Sequence, residues 1–508
     1  MRDSSSPEQI RIAEVLAALS LTTDLAAGLS FERGLRTCVV AAAFAGPVLG
    51  ADPQTQREVF EAALLRSVTC TLYAPELAAV FGDDVTVLSE LERLDADGES
   101  SRRKSVGARN RLVHTLVEAM PTVHVSVARN ACETSHALGA GLGLLPGVIA
   151  ALDDIYERWD GRGVPDGRHG TQVSLATRIV HIAEQAVMAH AIGNHATAVT
   201  ALERRAGGQL DPDLVRSFTS AVDTALDPLD HPDALAAVLD AEPEPHVTVS
   251  AAALPDLCAV LGKVVDFKSR WMLGHSEHVA TLAEGAGRAA GLGTEDVQRL
   301  RCAGLLHDLG RLSVPADVWD TPGPLTVAQT ERVRMHPYWT QRVLERVPSL
   351  APLALIASAH HERMDGSGYH RGVGAAHLPF TARILAAADV LAALTEPRAH
   401  RSALPLRDAA RLLREEAEAG RLDQHACASV IEAAGLPRPR LDLPAGLTER
   451  EVDVLRLAAR GLSNREIAMH LSISSRTVGH HLAHVYDKTG LRTRAGVAVF
   501  AVENRLLP

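Results

Sequence analysis

Residues 358–372, SAHHERMDGSGYHRG, set two adjacent histidines, His360 and His361, directly before a glycine-rich loop. A single histidine needs no special account. A pair beside Glu362 and Asp365 points to metal chemistry if the chain supplies further ligands, and it offers several upstream and downstream. CAGLLHDLGRLSVP places His307 and Asp308 at the end of an apolar run, WMLGHSEHVATL contributes His275, and RVRMHPYWT contributes His336 just before a proline. ILAAADVLAAL holds Asp389 among alanines and leucines, where an unpaired carboxylate is costly and coordination removes the cost.

The elements that must position these residues read as helices. Nearly every segment shows apolar residues at i, i+3, i+4, as in ARILAAADVLAALTE and REVDVLRLAARGL, so the expected fold class is all-α. Proline-rich stretches at 239–255 and 437–446 read as linkers and divide the chain into lobes 1–238 and 256–436 and a tail 447–508. The lobes are related. ERWDGRGVPDG (157–167) aligns with ERMDGSGYHRG (362–372) at an offset of 205, and the register continues to Arg178-Ile179 against Arg383-Ile384. Both glycine loops fall in register with the ER and RI pairs, which indicates an ancient duplication.

Composition narrows the class. The 508 residues are 46% hydrophobic and only 3% aromatic, as expected of cores built from small aliphatic side chains. Cys38, Cys70, Cys132, Cys258, Cys302 and Cys427 show no CxxC spacing, which argues for reduced thiols in a cytoplasmic protein and against a structural zinc site. The longest uncharged run, 137–152, contains Pro146 and is too short for a membrane span of ~20 residues. No apolar leader follows the charged start. The net charge is −11, yet the tail carries nine Lys and Arg against six Asp and Glu, a basic module on an acidic body.

The order H…HD…H…HH…D resembles the HD superfamily of metal-dependent phosphohydrolases, and the HHExxDGSGY loop resembles its HD-GYP branch, which hydrolyses cyclic di-GMP. The resemblance covers about 180 residues. It implies that Asp308 bridges two divalent ions, with His275, His307 and Asp389 completing one and His336, His360 and His361 the other. Imidazoles and carboxylates without thiolate suit iron or manganese. Two such ions activate water and clamp the oxygens of an in-line phosphoryl displacement. The resemblance further implies that Tyr369 lines the nucleotide pocket and that Arg398 and Arg401 meet substrate phosphates, for which a guanidinium fork is suited. Several positions depart from the pattern. Arg311 stands where members have a lysine able to protonate the leaving oxygen, and a guanidinium keeps its proton. GYP has become Tyr369-His370, and KPG has become a TPG beginning at Thr321. Trp271 stands where a third-metal glutamate would be, so two ions are expected. With Asp308 and Arg311 as the catalytic candidates, metal binding is the firmer expectation and fast turnover the weaker one.

The first lobe lacks these ligands. Arg66-Ser67 aligns with His307-Asp308, Ile155-Tyr156 with His360-His361, and Glu184 with Asp389. It reads as a degenerate HD-GYP-like lobe that keeps the fold.

The tail, LTEREVDVLRLAARGLSNREIAMHLSISSRTVGHHLAHVYDKTGLRTR, resembles the LuxR-type helix-turn-helix. On its reading helix Val478, Leu482 and Val485 form the core face, leaving Arg476, Thr477, Gly479, His480 and His484 toward DNA, with Lys488, Arg492 and Arg494 toward phosphates. DNA sites of this kind are read by dimers, so a homodimer is expected. Two functions remain open at this stage. One is a phosphodiesterase acting on a cyclic dinucleotide, coupled to DNA binding and transcription regulation. The other is a weakly active or inactive HD-GYP domain that senses nucleotide or metal for a transcription factor.

Overall fold

The computed structural model describes residues 9–68, 74, 78, 83–86, 88, 139, 142–439, 443–471, 473–504 and 506. Cys70, Cys132 and part of the run 137–152 lie outside them. The described residues are 67% helical and include two short strands, as the apolar periodicity predicts. No described helix is long and apolar enough to cross a membrane. Cys38, Cys258, Cys302 and Cys427 are buried free thiols.

Each lobe is built on a matching helical frame. Ile12–Ala26, Arg33–Ala43 and Pro53–Leu65 lead the first lobe, and Leu254–Asp266, His275–Ala289 and Thr294–Leu306 lead the second. Polar stitches repeat as well. The Asp24 carboxylate accepts the Gly34 N–H at 3.2 and 3.0 Å, and that of Asp266 accepts the Ser276 N–H at 3.4 and 3.2 Å. Glu157 accepts the Asp166 N–H at 2.8 Å as Glu362 accepts the Arg371 N–H at 2.8 Å. Arg178 pairs with Asp211 and Arg383 with Asp423. A buried carboxylate that satisfies loop N–H groups fixes a turn that apolar packing alone would leave loose.

The lobes are not strung on a free linker. One continuous hydrophobic core runs from Ile10 to Ile431. Within the stretch read as a linker, Thr248–Ser250 pairs antiparallel with Gln9–Arg11, and the buried Glu242 takes the Arg11 guanidinium. Its β-branched Thr248 and Val249 favour the extended ladder, which docks the stretch. Further ties cross between the lobes. Arg346 holds Glu32 and Asp233, and the fully buried Lys268 holds Asp84 at 2.5 Å. The other oxygen of Asp84 accepts the Ala316 N–H at 2.7 Å.

The tail has two small cores of its own, around Val452, Leu455, Val485 and Val497 and around Val454, Ile467, Val478 and Leu482. Its helices are Glu449–Ala459, Asn464–His470, Ser475–Thr489 and Arg494–Glu503. Capping boxes, Thr448 with Glu451 and Ser463 with Glu466, start the first two, and Ser474 caps the third.

Candidate metal centre

Three helices and two turns of the second lobe deliver the seven candidate ligands to one buried point. His275 is the first residue of its helix, placed there by Gly274 at φ 81°, a left-handed conformation that suits glycine. His307 and Asp308 follow the helix Thr294–Leu306. There Gly310 lets the turn lie against the start of helix His336–Arg346, since a Cβ at Gly310 would collide with the His336 carbonyl oxygen. Thr340 ties this junction by donating to the His307 carbonyl at 2.9 Å and accepting the Gly310 N–H at 3.0 Å. His360 and His361 follow the short helix Ala354–Ser358, and Asp389 sits in the middle of Phe380–Thr395.

The ligand atoms form two groups, His275 with His307 and Asp308, and His336 with His360 and His361. Asp308 lies between them. Its Oδ2 is 2.9 Å from His307 Nε2 and 3.7 Å from His275 Nε2, while its Oδ1 is 3.4 Å from His336 Nε2 and 3.5 Å from His360 Nε2. Asp389 faces the first group at 3.3 Å from His275 Nε2 and reaches toward His361 at 3.9 Å. The two oxygens of Asp308 thus face two separate groups of candidate ligands.

Three of the histidines have their protonation fixed locally. The Nδ1 atoms of His307, His336 and His360 donate to the carbonyls of Gly304, Val333 and Ala357 at 2.7, 2.6 and 2.7 Å. A carbonyl only accepts, so each ring turns an unprotonated Nε2 inward when neutral. The Nε2 atoms of His275 and His307 and both oxygens of Asp308 are buried without a hydrogen-bond partner. Four convergent, orphaned atoms of these types fit divalent metal ions.

Electrostatics keep both carboxylates of the cluster ionised. Burial alone would raise the Asp308 carboxyl, but Arg311 and His307 hold it well below the usual carboxylate range. Burial likewise opposes ionisation of Asp389, and the His275 imidazole facing it reverses the balance, leaving it well below the usual range. Burial pushes His336 down to about 4, keeping the ring neutral and able to ligate. Burial would lower His275, but the carboxylates of Asp389 and Glu396 beside it push it up to about 9.

The other expected site residues divide. Arg311 lies in the cleft, with Nε 2.9 Å from Asp308 Oδ2 and its guanidinium 4.8 Å over the Trp319 ring. Tyr369 stacks on His361 with ring centroids 4.7 Å apart. Arg398 reaches the same edge, 3.3 Å from His275 Nδ1. Arg401 does not join them. Its guanidinium lies on the carbonyls of Ala393, Leu394 and Glu396, closing the end of helix Phe380–Thr395. Sequence reasoning missed Glu396, which binds both His275 and His278, and Met272, whose sulfur meets Arg311 and Arg398. HSEH at 275–278 and TEPR at 395–398 carried the signal for Glu396, as two histidines one helical turn apart and an acid two residues before an arginine.

In the first lobe the corresponding place holds an ion triad. Glu184, in helix Leu175–Ala191, pairs with Arg33, the first residue of its helix, at 2.9 Å and with Arg66.

In the tail, Arg476, His480 and His484 are exposed on Ser475–Thr489, opposite the buried Val478, Leu482 and Val485. Gly479 has open space beside it, and Thr477 is tied to the Ser474 cap. Arg492 is exposed. Lys488 is held by Glu451 and the Gly446 carbonyl, and Arg494 by the Leu462 carbonyl and Asn464.

Comparison with known proteins agrees with this architecture. Residues 259–426 match the family described as HD domain, and residues 445–501 match bacterial regulatory proteins of the luxR family. The chain is 26% identical over 420 residues to the 3'3'-cGAMP-specific phosphodiesterase 3 of Vibrio cholerae, covering 80% of this chain and 90% of that one. It is 32% identical over 173 residues to the cyclic di-GMP phosphodiesterase response regulator RpfG of Xanthomonas campestris pv. campestris, covering 34% of this chain and 45% of that one. The crystal structure of the cyclic GMP-AMP specific phosphodiesterase V-cGAP3 of V. cholerae shares the fold, with a TM-score of 0.59 at 23% identity over 84% of this chain and 99% of that one. Residues 259–426 thus carry an HD domain and residues 445–501 a regulatory domain of the luxR family, and the chain is similar to cyclic dinucleotide phosphodiesterases.

Proposed function

We propose that the second lobe is a phosphodiesterase for a cyclic dinucleotide, that it holds two ions of iron or manganese, and that the tail reads DNA. The observation that carries the reading is the position of Asp308, whose two oxygens face two separate histidine sets. His275, His307, Asp308 and Asp389 would hold one ion, and Asp308, His336, His360 and His361 the other. Such a pair supplies an activated water and charge stabilisation for an in-line displacement at phosphorus. Around it, Arg398 is placed to bind a phosphate, Tyr369 to pack on a base or sugar, and Arg311 to stabilise negative charge at the cleft edge. Arg311 keeps its proton, so the leaving oxygen takes one from water, and slow turnover follows. The first lobe acts as a degenerate copy that keeps the frame and lacks the chemistry.

Arg311 also favours a second reading, in which nucleotide occupies the lobe without useful turnover and sets the state of the tail. Both readings are tested by supplying cyclic di-GMP and 3'3'-cGAMP to the metal-loaded chain and measuring linear product and binding separately. Hydrolysis abolished by Asp308→Ala supports the enzyme, binding without product supports the sensor, and neither binding nor product contradicts both. A homodimer would bring two tails onto one site. The full chain is then expected to bind a two-fold symmetric DNA much more tightly than residues 447–508 alone, compared at fixed salt.

A further inference from the structure

Three of the centre's histidines are oriented by backbone carbonyls, and His275 is oriented differently. Its Nδ1 lies 2.8 Å from Oε2 of Glu396. The same carboxylate takes Nδ1 of His278, one turn along the helix, at 2.7 Å on Oε1, and Arg398 Nη2 at 3.0 Å on Oε2. Glu396 stands just beyond helix Phe380–Thr395, whose terminal carbonyls take donors from Arg401, and a carboxylate, which only accepts, has no capping role at that end.

We propose that Glu396 is a positioning residue for one ion of the pair. It locks the His275 ring so that Nε2 faces Asp389 and Asp308, and it strengthens that nitrogen as a donor, because an anionic acceptor polarises an imidazole more than a carbonyl does. By holding Arg398 through the same oxygen it also sets that guanidinium beside the ion, where a substrate phosphate is bound. The inference rests on the two-metal reading above and adds an asymmetry to it. The ion held by His275, His307 and Asp389 depends on a side chain outside the ligand set, whereas the ion held by His336, His360 and His361 does not touch Glu396.

The test uses the full chain as wild type, Glu396→Gln and Glu396→Asp, equilibrated with buffered Mn²⁺. Bound ions are counted with their individual affinities, KM and kcat are measured on a cyclic dinucleotide, and melting temperature is recorded. An amide offers one acceptor oxygen to three donors, so Glu396→Gln is expected to keep one ion at wild-type affinity. It should bind the other about 10–100-fold more weakly and raise KM through Arg398. Glu396→Asp, which keeps the charge, should recover part of both losses. Unchanged affinity for both ions in Glu396→Gln overturns the proposal, as does equal weakening of both together with a lower melting temperature. A wild-type chain that holds fewer than two ions overturns the two-metal reading itself, whatever the variants do.

Discussion

The two lobes place a carboxylate at the same point of the same frame and neutralise it in different ways. Glu184 of the first lobe sits between the guanidiniums of Arg33 and Arg66. Asp389 of the second lies among His275, His307 and His361. Arg33 and His275 both begin the second helix of their lobe, Arg66 and His307 both follow the third, and Glu184 and Asp389 share the helix after the glycine loop. A buried carboxylate requires positive charge nearby. One lobe carries that charge covalently, so it cannot dissociate. The other surrounds two carboxylates, Asp308 and Asp389, with imidazoles and the single guanidinium of Arg311, and on the two-metal reading it takes further positive charge from bound ions. In the first lobe two arginines hold the electrostatic role at this point, so on the proposed reading that lobe needs no metal.

The largest break in this comparison is expected at Asp308. Replacing it with alanine removes a ligand from both sets, and several kcal/mol of transition-state stabilisation go with it. Turnover of a cyclic dinucleotide should fall by on the order of 10³-fold or to background, read as product formed at saturating substrate.

Glu184→Ala should act on stability instead. It strands two buried guanidiniums, and breaking a buried pair costs about 3–5 kcal/mol. Because one core spans both lobes, the whole body should melt earlier while its metal content stays the same. Replacing Arg33, Glu184 and Arg66 together by apolar residues of similar volume should restore most of that loss, since a buried triad is often close to neutral against a hydrophobic substitute. Thermal melting of the single and triple variants checks both outcomes.

Arg311→Lys should raise kcat by about tenfold or more if proton donation limits the rate, given that general acid assistance contributes ~10²–10⁴-fold. No gain with metals and affinity intact would show that Arg311 is not the limiting group. A smaller effect belongs to what the lobes share. Asp211→Asn and Asp423→Asn each weaken one guanidinium pair, and each should cost on the order of 1–2 kcal/mol. Similar costs in urea titrations would sharpen the view that only the centres have diverged.

Much of this was legible in the residues. The seven ligands stand out because histidines and a lone aspartate within apolar runs need partners, and the glycine loops reveal the repeat. The reading of Asp308 as a bridge comes from the resemblance to a known family; the fold shows its two oxygens facing separate histidine groups. Other features depend on contacts that close only in three dimensions. The Arg33 contact with Glu184 spans 151 residues and the Glu396 contact with His275 spans 121, so no local pattern announces either. Arg401, Lys488 and Arg494 look like free cations in the sequence, and each is taken up by nearby carbonyls or carboxylates. The proline-rich stretch at 239–255 reads as a linker by composition, yet an N-terminal strand distant in sequence docks it.

The central claim is that metal belongs to the second lobe and fixed guanidinium charge to the first. Metal content per chain, measured on purified wild type, Asp308→Ala and the Arg33/Glu184/Arg66 triple variant, tests it most directly. The expected result is about two ions in wild type, the same number in the triple variant and none in Asp308→Ala. Ions retained by Asp308→Ala, or lost with the first-lobe triad, would contradict the account.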